Sequence, residues 1–256
     1  MQEHEDADRF TCIEMLQSLI LFALMQEPLA PLPPLTAPEI VERLVRADDD
    51  RLATFAGYTG LRRYRFDNKR VNKRAEMTVR VACDDAGIKT FSVLSEAGSG
   101  FVRSRIIRRM IDAEREASEK GEREETRIIP RNYDFRLLTT AVVDGRPAYV
   151  LEIEPKTHNR FLVRGRIWVD AEEFAITRID GSPAKNPSFW TRSIQVVHRY
   201  TRVGKLWLPA SNESYAEARL FGLTEVRIDY FDYVTNVEHT DARQNLGKEA
   251  GDGSAH

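Results

Sequence analysis

Two cysteines among 256 residues, Cys12 and Cys83, are too few for a disulfide framework. Cys83 falls on an alternating segment with Met77, Val79 and Val81, the place of a small core residue, and no base stands near it in sequence to make a reactive thiol. The chain has no glycine-rich phosphate loop, no nucleophile elbow and no zinc-binding helix motif. Of its five histidines, His4 and His256 are terminal, His158 falls in a turn and His239 near the tail. Only His198 lies within a strand pattern, among apolar neighbours that suit a core or rim residue better than a ligand. Acid pairs such as Glu152/Glu154 and Glu172/Glu173 occur, but acid–base chemistry needs a shared cleft, which spacing does not supply. These gaps point away from an enzyme, and no catalytic residue, metal site or cofactor is expected. A net charge of −2 and a pI near 6.3 argue against a nucleic-acid partner. The longest apolar run, Leu16 to Met25, is shorter than the about 20 residues a membrane-spanning helix needs. No internal repeat is found.

What the chain does have is alternation. From Val163 to Tyr233 apolar and charged residues take turns, with Gly, Asp and Pro as punctuation, the pattern of strands with one apolar and one wet face. Hairpins are expected at Asp85-Ala-Gly87 and Asp144-Gly145, and Pro209 implies an edge or a bulge in its strand. Two segments change period. Thr36-Ala-Pro-Glu39 is a capping box opening a helix to about Asp50, with Ile40, Val41, Leu44 and Val45 on one stripe. Phe101 to Lys120 is a second amphipathic helix, with Val102, Ile106, Met110 and Ala113 on one stripe and Ile107 and Ile111 beside it. The fold class is therefore mainly β with some α: a single antiparallel sheet of about ten strands in sequence order, with two or more helices against it. The domain is expected over residues 36–236, after a leader and proline-rich linker (1–35) and before a polar tail (237–256) expected to be disordered.

Five stretches carry a resemblance: Gly165-Arg-Ile-Trp-Val-Asp170, Ile176-Thr-Arg-Ile-Asp-Gly181, Pro187-Ser-Phe-Trp190, Tyr200-Thr-Arg-Val-Gly-Lys-Leu-Trp-Leu-Pro209 and Arg227-Ile-Asp-Tyr-Phe-Asp-Tyr233. In this order they resemble the outer-membrane lipoprotein-sorting proteins, the LolA/LolB-like group with its RseB-type sensor domains, over about Pro38 to Val234. The resemblance implies an open, strongly curved half-barrel whose helices cover the concave face. It also implies a non-catalytic periplasmic carrier for the acyl chains of a lipoprotein or other lipid, with a membrane-protein donor or acceptor. No individual residue is carried over from the family.

The aromatics, 12 Phe, 8 Tyr and 3 Trp, fall mostly on strands, where plain core packing accounts for most of them. A curved sheet with few helices also leaves room for an acyl chain. The expected lipid-binding lining is Phe91, Val93, Trp168, Phe221 and Val226, closed by Ile106, Ile107 and Met110 on the second helix. Export is expected from a start near Met15, with Leu16 to Met25 as the signal core. The stretch from Arg62 to Arg74, seven basic residues and one acid, is either a solvated hairpin or a dock for a membrane surface or an acidic partner. Two other readings stay open on the sequence: a sensor domain of the same fold acting on a membrane-protein partner, and an enzyme using carboxylates inside the cavity.

Overall fold

Alternation in the sequence becomes one strand after another in the computed structural model, which describes residues 32–119, 123–158, 161–185, 191–218 and 222–235. Helix α1 (Ala37–Ala53) opens where Glu39 accepts hydrogen bonds from the Thr36 backbone N–H and hydroxyl, both at 2.7 Å, with proline in the first turn where its missing N–H is not needed. Strands β1 (Tyr58–Asn68), β2 (Lys73–Cys83) and β3 (Lys89–Gly98) follow. Helix α2 is α-helical over Gly100–Val102, makes a π-turn over Arg103–Ile107 and resumes over Arg108–Glu119; a short α3 (Arg123–Thr126) comes next. Seven strands complete the domain: β4 (Tyr133–Val143), β5 (Arg146–Pro155), β6 (Val163–Asp170), β7 (Ile176–Pro183), β8 (Thr191–Val203), β9 (Leu206–Ala218) and β10 (Gly222–Thr235).

All ten strands form one open antiparallel sheet in the order β3-β2-β1-β10-β9-β8-β7-β6-β5-β4. This corrects the expectation of strict sequence order. Hairpins force consecutive strands to be neighbours, but the α2–α3 connection is long enough to carry the chain from one edge, β3, to the other, β4. From there the strands walk back until β10 pairs with β1.

Register defines the two faces. Residues paired across strands share a face, so one row runs Met77, Tyr64, Ile228, Asn212, His198, Ile179, Ile167, Leu151. This is the helix-bearing face. Val102, Ile107 and Ile111 of α2 are buried in one cluster with Tyr64, Phe66, Met77, Val79, Val81 and Ile228. The π-turn inserts a residue into the helical period, so the buried position after Val102 is Ile107 rather than Ile106. Helix α1 buries Ile40, Val41 and Leu44 and lies against β4 on the other flank.

The sheet curves through register shifts in β1/β10, β2/β3, β4/β5, β6/β7 and β8/β9. Pro209 sits at one of them, opposite Tyr200, on a stretch of β9 beyond the β10 ladder, where no donor is needed from it. Gly165 and Gly181 face each other on β6 and β7. A Cβ on Gly181 would stand 2.2 Å from the Arg164 carbonyl oxygen, and one on Gly165 would stand 2.2 Å from that of Asp180. The backbones approach here more closely than any side chain permits, as at the corner of a barrel.

One end of the sheet is pinned by charge. Asp170, fully buried, accepts from Arg146 Nε at 2.6 Å and Nη2 at 3.0 Å and from the backbone N–H of Glu172 and Glu173. Arg51 at the end of α1 donates to the carbonyls of Glu173 and Phe174, and Trp207 donates to the Glu173 carboxylate at 2.8 Å. Burial raises the Asp170 carboxyl, but the Arg146 hydrogen bonds and charge together with the backbone N–H groups of Glu173 and Glu172 outweigh it and hold its pKa below the ordinary value.

Gly181→Ala is expected to destabilise the protein by about 3 kcal/mol, because backbone must move to admit the methyl group. Gly204→Ala, at φ +59° with nothing within 4 Å, is expected to cost only about 1 kcal/mol. Urea unfolding of the two variants checks the difference; equal losses would mean that the β6–β7 approach is slack.

Candidate functional site

The helix-bearing face changes chemistry from flank to centre. Under α2 it is apolar except for Arg62, which is 3% exposed on β1. Its guanidinium lies over the rings of Phe91 (5.3 Å) and Tyr230 (4.9 Å) and donates to Glu114 of α2 at 2.6 Å. Lys89 of β3 meets the other Glu114 oxygen at 2.7 Å. Burial raises the Glu114 carboxyl, but the charges of Arg62 and Lys89 more than reverse that and hold its pKa at about 2. Helix α2 is therefore held to the sheet by an apolar stripe and one partly buried ionic latch.

Between the two helices the face is different. Ile194, His198 and Tyr200 on β8, Asn212 and Ser214 on β9 and Val226 on β10 are all half-buried. Neither flank helix packs closely on β8 or β9 among the described residues. Two of these groups are also partly desolvated. Loss of solvation pushes the Tyr200 hydroxyl up to about 12 and pulls the His198 imidazole below its ordinary value. Burial likewise raises the hydroxyl of Tyr230. A strip of half-buried side chains left between two flank helices on a curved sheet forms a recess. This recess has apolar walls and a floor carrying a few polar groups. At one end it is plugged by Phe55, Tyr58, Leu208 and Tyr233, whose rings meet edge to face at 6.3 Å and 5.4 Å. Tyr233 donates from its hydroxyl to the Pro209 carbonyl at 2.9 Å and locks the plug to β9.

A flank cavity of about 490 Å³ lies between α1 and the edge strand β4, lined by Pro38, Val41, Val45, Pro130, Tyr133 and Phe135. A second hollow, about 450 Å³, is lined by the paired charges Arg65, Asp67, Arg74, Glu76 and Arg227. Those side chains alternate away from Tyr64 and Phe66, so it belongs to the opposite face. No group of three or more His, Cys, Asp or Glu residues is placed to hold a metal ion among the described residues.

The expected lining divides. Phe91, Ile106, Ile107, Met110 and Val226 come together in and around the α2 cluster. Ile107 is fully buried there, so it is a core residue and not a wall; Ile106 and Met110 are half-buried beside it. Val93 pairs with Val79 on the edge strand β3 and is 41% exposed. Trp168 lies on the opposite face, which corrects its assignment. Ile167 and Val169 on either side are fully buried beneath the helices, and alternation sends the indole outward, where Arg178 (4.8 Å) and Arg166 (5.7 Å) cover its ring. Phe221 lies outside the described residues. Sequence reasoning missed His198, Tyr200, Asn212 and Ser214 as lining; their signal was a strand pattern that turns polar on its inner side.

Glu114→Gln is expected to destabilise the protein by about 2–3 kcal/mol, since it leaves Arg62 without a counter-charge. Removing both partners, Arg62→Met with Glu114→Leu, is expected to recover most of that loss. Because the folded carboxyl titrates at about 2 against an ordinary 4.5, the latch contributes fully above pH 4.5 and fades as pH falls towards 2. The gap between wild type and Glu114→Gln in urea unfolding should close over that window. A gap independent of pH would show that the latch carries no charge-dependent stability.

No family model matches the chain. No curated protein matches it either. Among solved structures it is similar to a DUF1329 family protein from Desulfovibrio piger, at 15% identity, covering 79% of this chain and 94% of that one with a TM-score of 0.43. It is also similar to a LolA superfamily protein from Nitrosomonas europaea, at 14% identity over 78% and 94% of the two chains, TM-score 0.34. A third is a domain described as an outer-membrane lipoprotein-sorting protein from Vibrio parahaemolyticus, at 11% identity over 76% and 93%, TM-score 0.38.

Proposed function

We propose that this protein is a non-catalytic carrier that shields the acyl chains of a lipid-modified polypeptide or another lipid in the recess between α1 and α2. The observation that carries the reading is the row of half-buried side chains on β8 and β9, Ile194, His198, Tyr200, Asn212 and Ser214, on the helix-bearing face that neither helix packs closely against. An acyl chain loses about 0.8 kcal/mol for each methylene left in water, so an apolar recess binds it without covalent chemistry. Asn212, Ser214 and His198 give the floor polar groups that can meet an ester or amide near the chain. The motifs shared with lipoprotein-sorting proteins support the same reading and a periplasmic place of work.

Native mass spectrometry of freshly purified protein should find co-purified lipid. Ser214→Trp places an indole between Val196 and Val226 and fills the recess, reaching the α2 cluster only at its edge, through Val226. It is expected to weaken binding of a fluorescent fatty-acid probe about tenfold or more with little change in thermal stability. Unchanged probe affinity in this variant would exclude the recess as the acyl site. The periplasmic placement has its own check: fractionation that finds a tagged full-length chain wholly in the cytoplasm removes it.

A further inference from the structure

The end of the sheet opposite the aromatic plug gathers three segments that are far apart in sequence. The β1–β2 turn lies there, with Lys69, Arg70, Val71 and Lys73 all exposed. The first turns of α2 adjoin it, because Ser99 donates its backbone N–H to the Arg74 carbonyl at 2.8 Å. The start of β10 completes the group, with the Arg70 side chain lying against Gly222. Each segment offers an apolar tip: Val71 is 40% exposed, Phe101 68% and Leu223 61%. Around these tips stand cations. Arg74 is matched by Asp67, and Arg103 and Arg108 by Glu96. Lys69, Arg70, Lys73, Arg105 and Arg109 have no carboxylate within ion-pair distance among the described residues, and Glu225 and Glu217, the latter opposite Leu223 on β9, are further acids at this end.

We propose that this rim is a docking surface for an anionic lipid bilayer, with Phe101, Leu223 and Val71 entering the interface and the five unmatched cations engaging headgroups. The chemistry selects a bilayer over a folded partner. The apolar groups are separate protruding tips on different elements rather than one continuous apolar patch. Their combination with unmatched cations is the pattern of an interfacial anchor, in which apolar burial and electrostatic attraction add. Arg62, although it opens the basic stretch, is buried and takes no part. The proposal rests on the carrier reading for its purpose, since docking by the end away from the plug presents the recess to the lipid. Its test does not depend on that reading.

Co-sedimentation with vesicles of phosphatidylglycerol and phosphatidylcholine, against pure phosphatidylcholine, reads the docking directly. Binding is expected to the anionic vesicles and to fall as salt is raised. Each headgroup-facing charge lost should lower the partition coefficient about fivefold, and Phe101→Ser should lower it about tenfold. Arg105→Glu with Arg109→Glu should therefore abolish measurable sedimentation, while Arg166→Glu, an exposed cation on the opposite face, should sediment like wild type. All these positions are exposed, and matching circular dichroism and melting curves verify the fold. Equal binding to neutral and anionic vesicles overturns the proposal, as does wild-type sedimentation of the rim variants or an equal loss in Arg166→Glu. Uptake of a monomeric fatty-acid probe, measured without vesicles, separates the two readings. Rim variants are expected to keep it, and Ser214→Trp to lose it while still sedimenting.

Discussion

The pairing of the last strand with the first holds the molecule together. β10 runs beside β1 from Tyr58 opposite Thr235 to Asp67 opposite Glu225. Without that seam the domain is two meanders, β1–β3 with α2 and β4–β10 with α1, each with an apolar face and an open edge. The seam is secured on both faces. Tyr64 and Ile228 meet on the helix side, where Arg62 lies over the Tyr230 ring, and Arg65 pairs with Asp229 on the other. Curvature follows from the same pairing, because two antiparallel meanders joined edge to edge coil with their twist and bend further at each bulge.

The recess is what such a sheet leaves when two helices cover its flanks only. Helix α2 matches the apolar rows of β1, β2 and β10, and its one charged contact goes to an arginine set among rings. A buried ion pair of this kind adds little net stability, but it penalises any arrangement that parts Glu114 from Arg62. It therefore fixes where α2 sits more than how tightly. The centre of the face keeps Asn212, Ser214 and His198, side chains that would be out of place beneath an apolar helix. Polarity at the floor is thus consistent with a space that exchanges one occupant for another.

Much of this was legible from local pattern. Strand periods, the capping box at Thr36, the hairpins at Asp85-Ala-Gly87 and Asp144-Gly145 and the interruption at Pro209 each follow from chemistry within a few residues. What failed was non-local. Nothing near Tyr58 says that its partner is Thr235. The π-turn that exchanges Ile106 for Ile107 arises where α2 must fit the sheet, and no residue in Arg103–Ile107 announces it. Trp168 is an apolar position on an alternating strand, but the parity set by Ile167 and Val169 sends it outward, where two arginines cover it. Arg62 looked like one of seven surface cations, and only its position opposite Tyr230 and under Glu114 shows that it is enclosed.

The β1–β10 seam has a consequence for synthesis. Strands β1 to β3 leave the ribosome well before β10 exists, and one edge of β1 then lacks its hydrogen-bonding partner. Contacts of this sequence separation make folding slow and leave apolar surface exposed meanwhile. A nascent chain cannot complete its sheet until β10 has been made. A chain truncated ahead of Gly222 therefore leaves β1 and β9 each with an edge that has lost its partner.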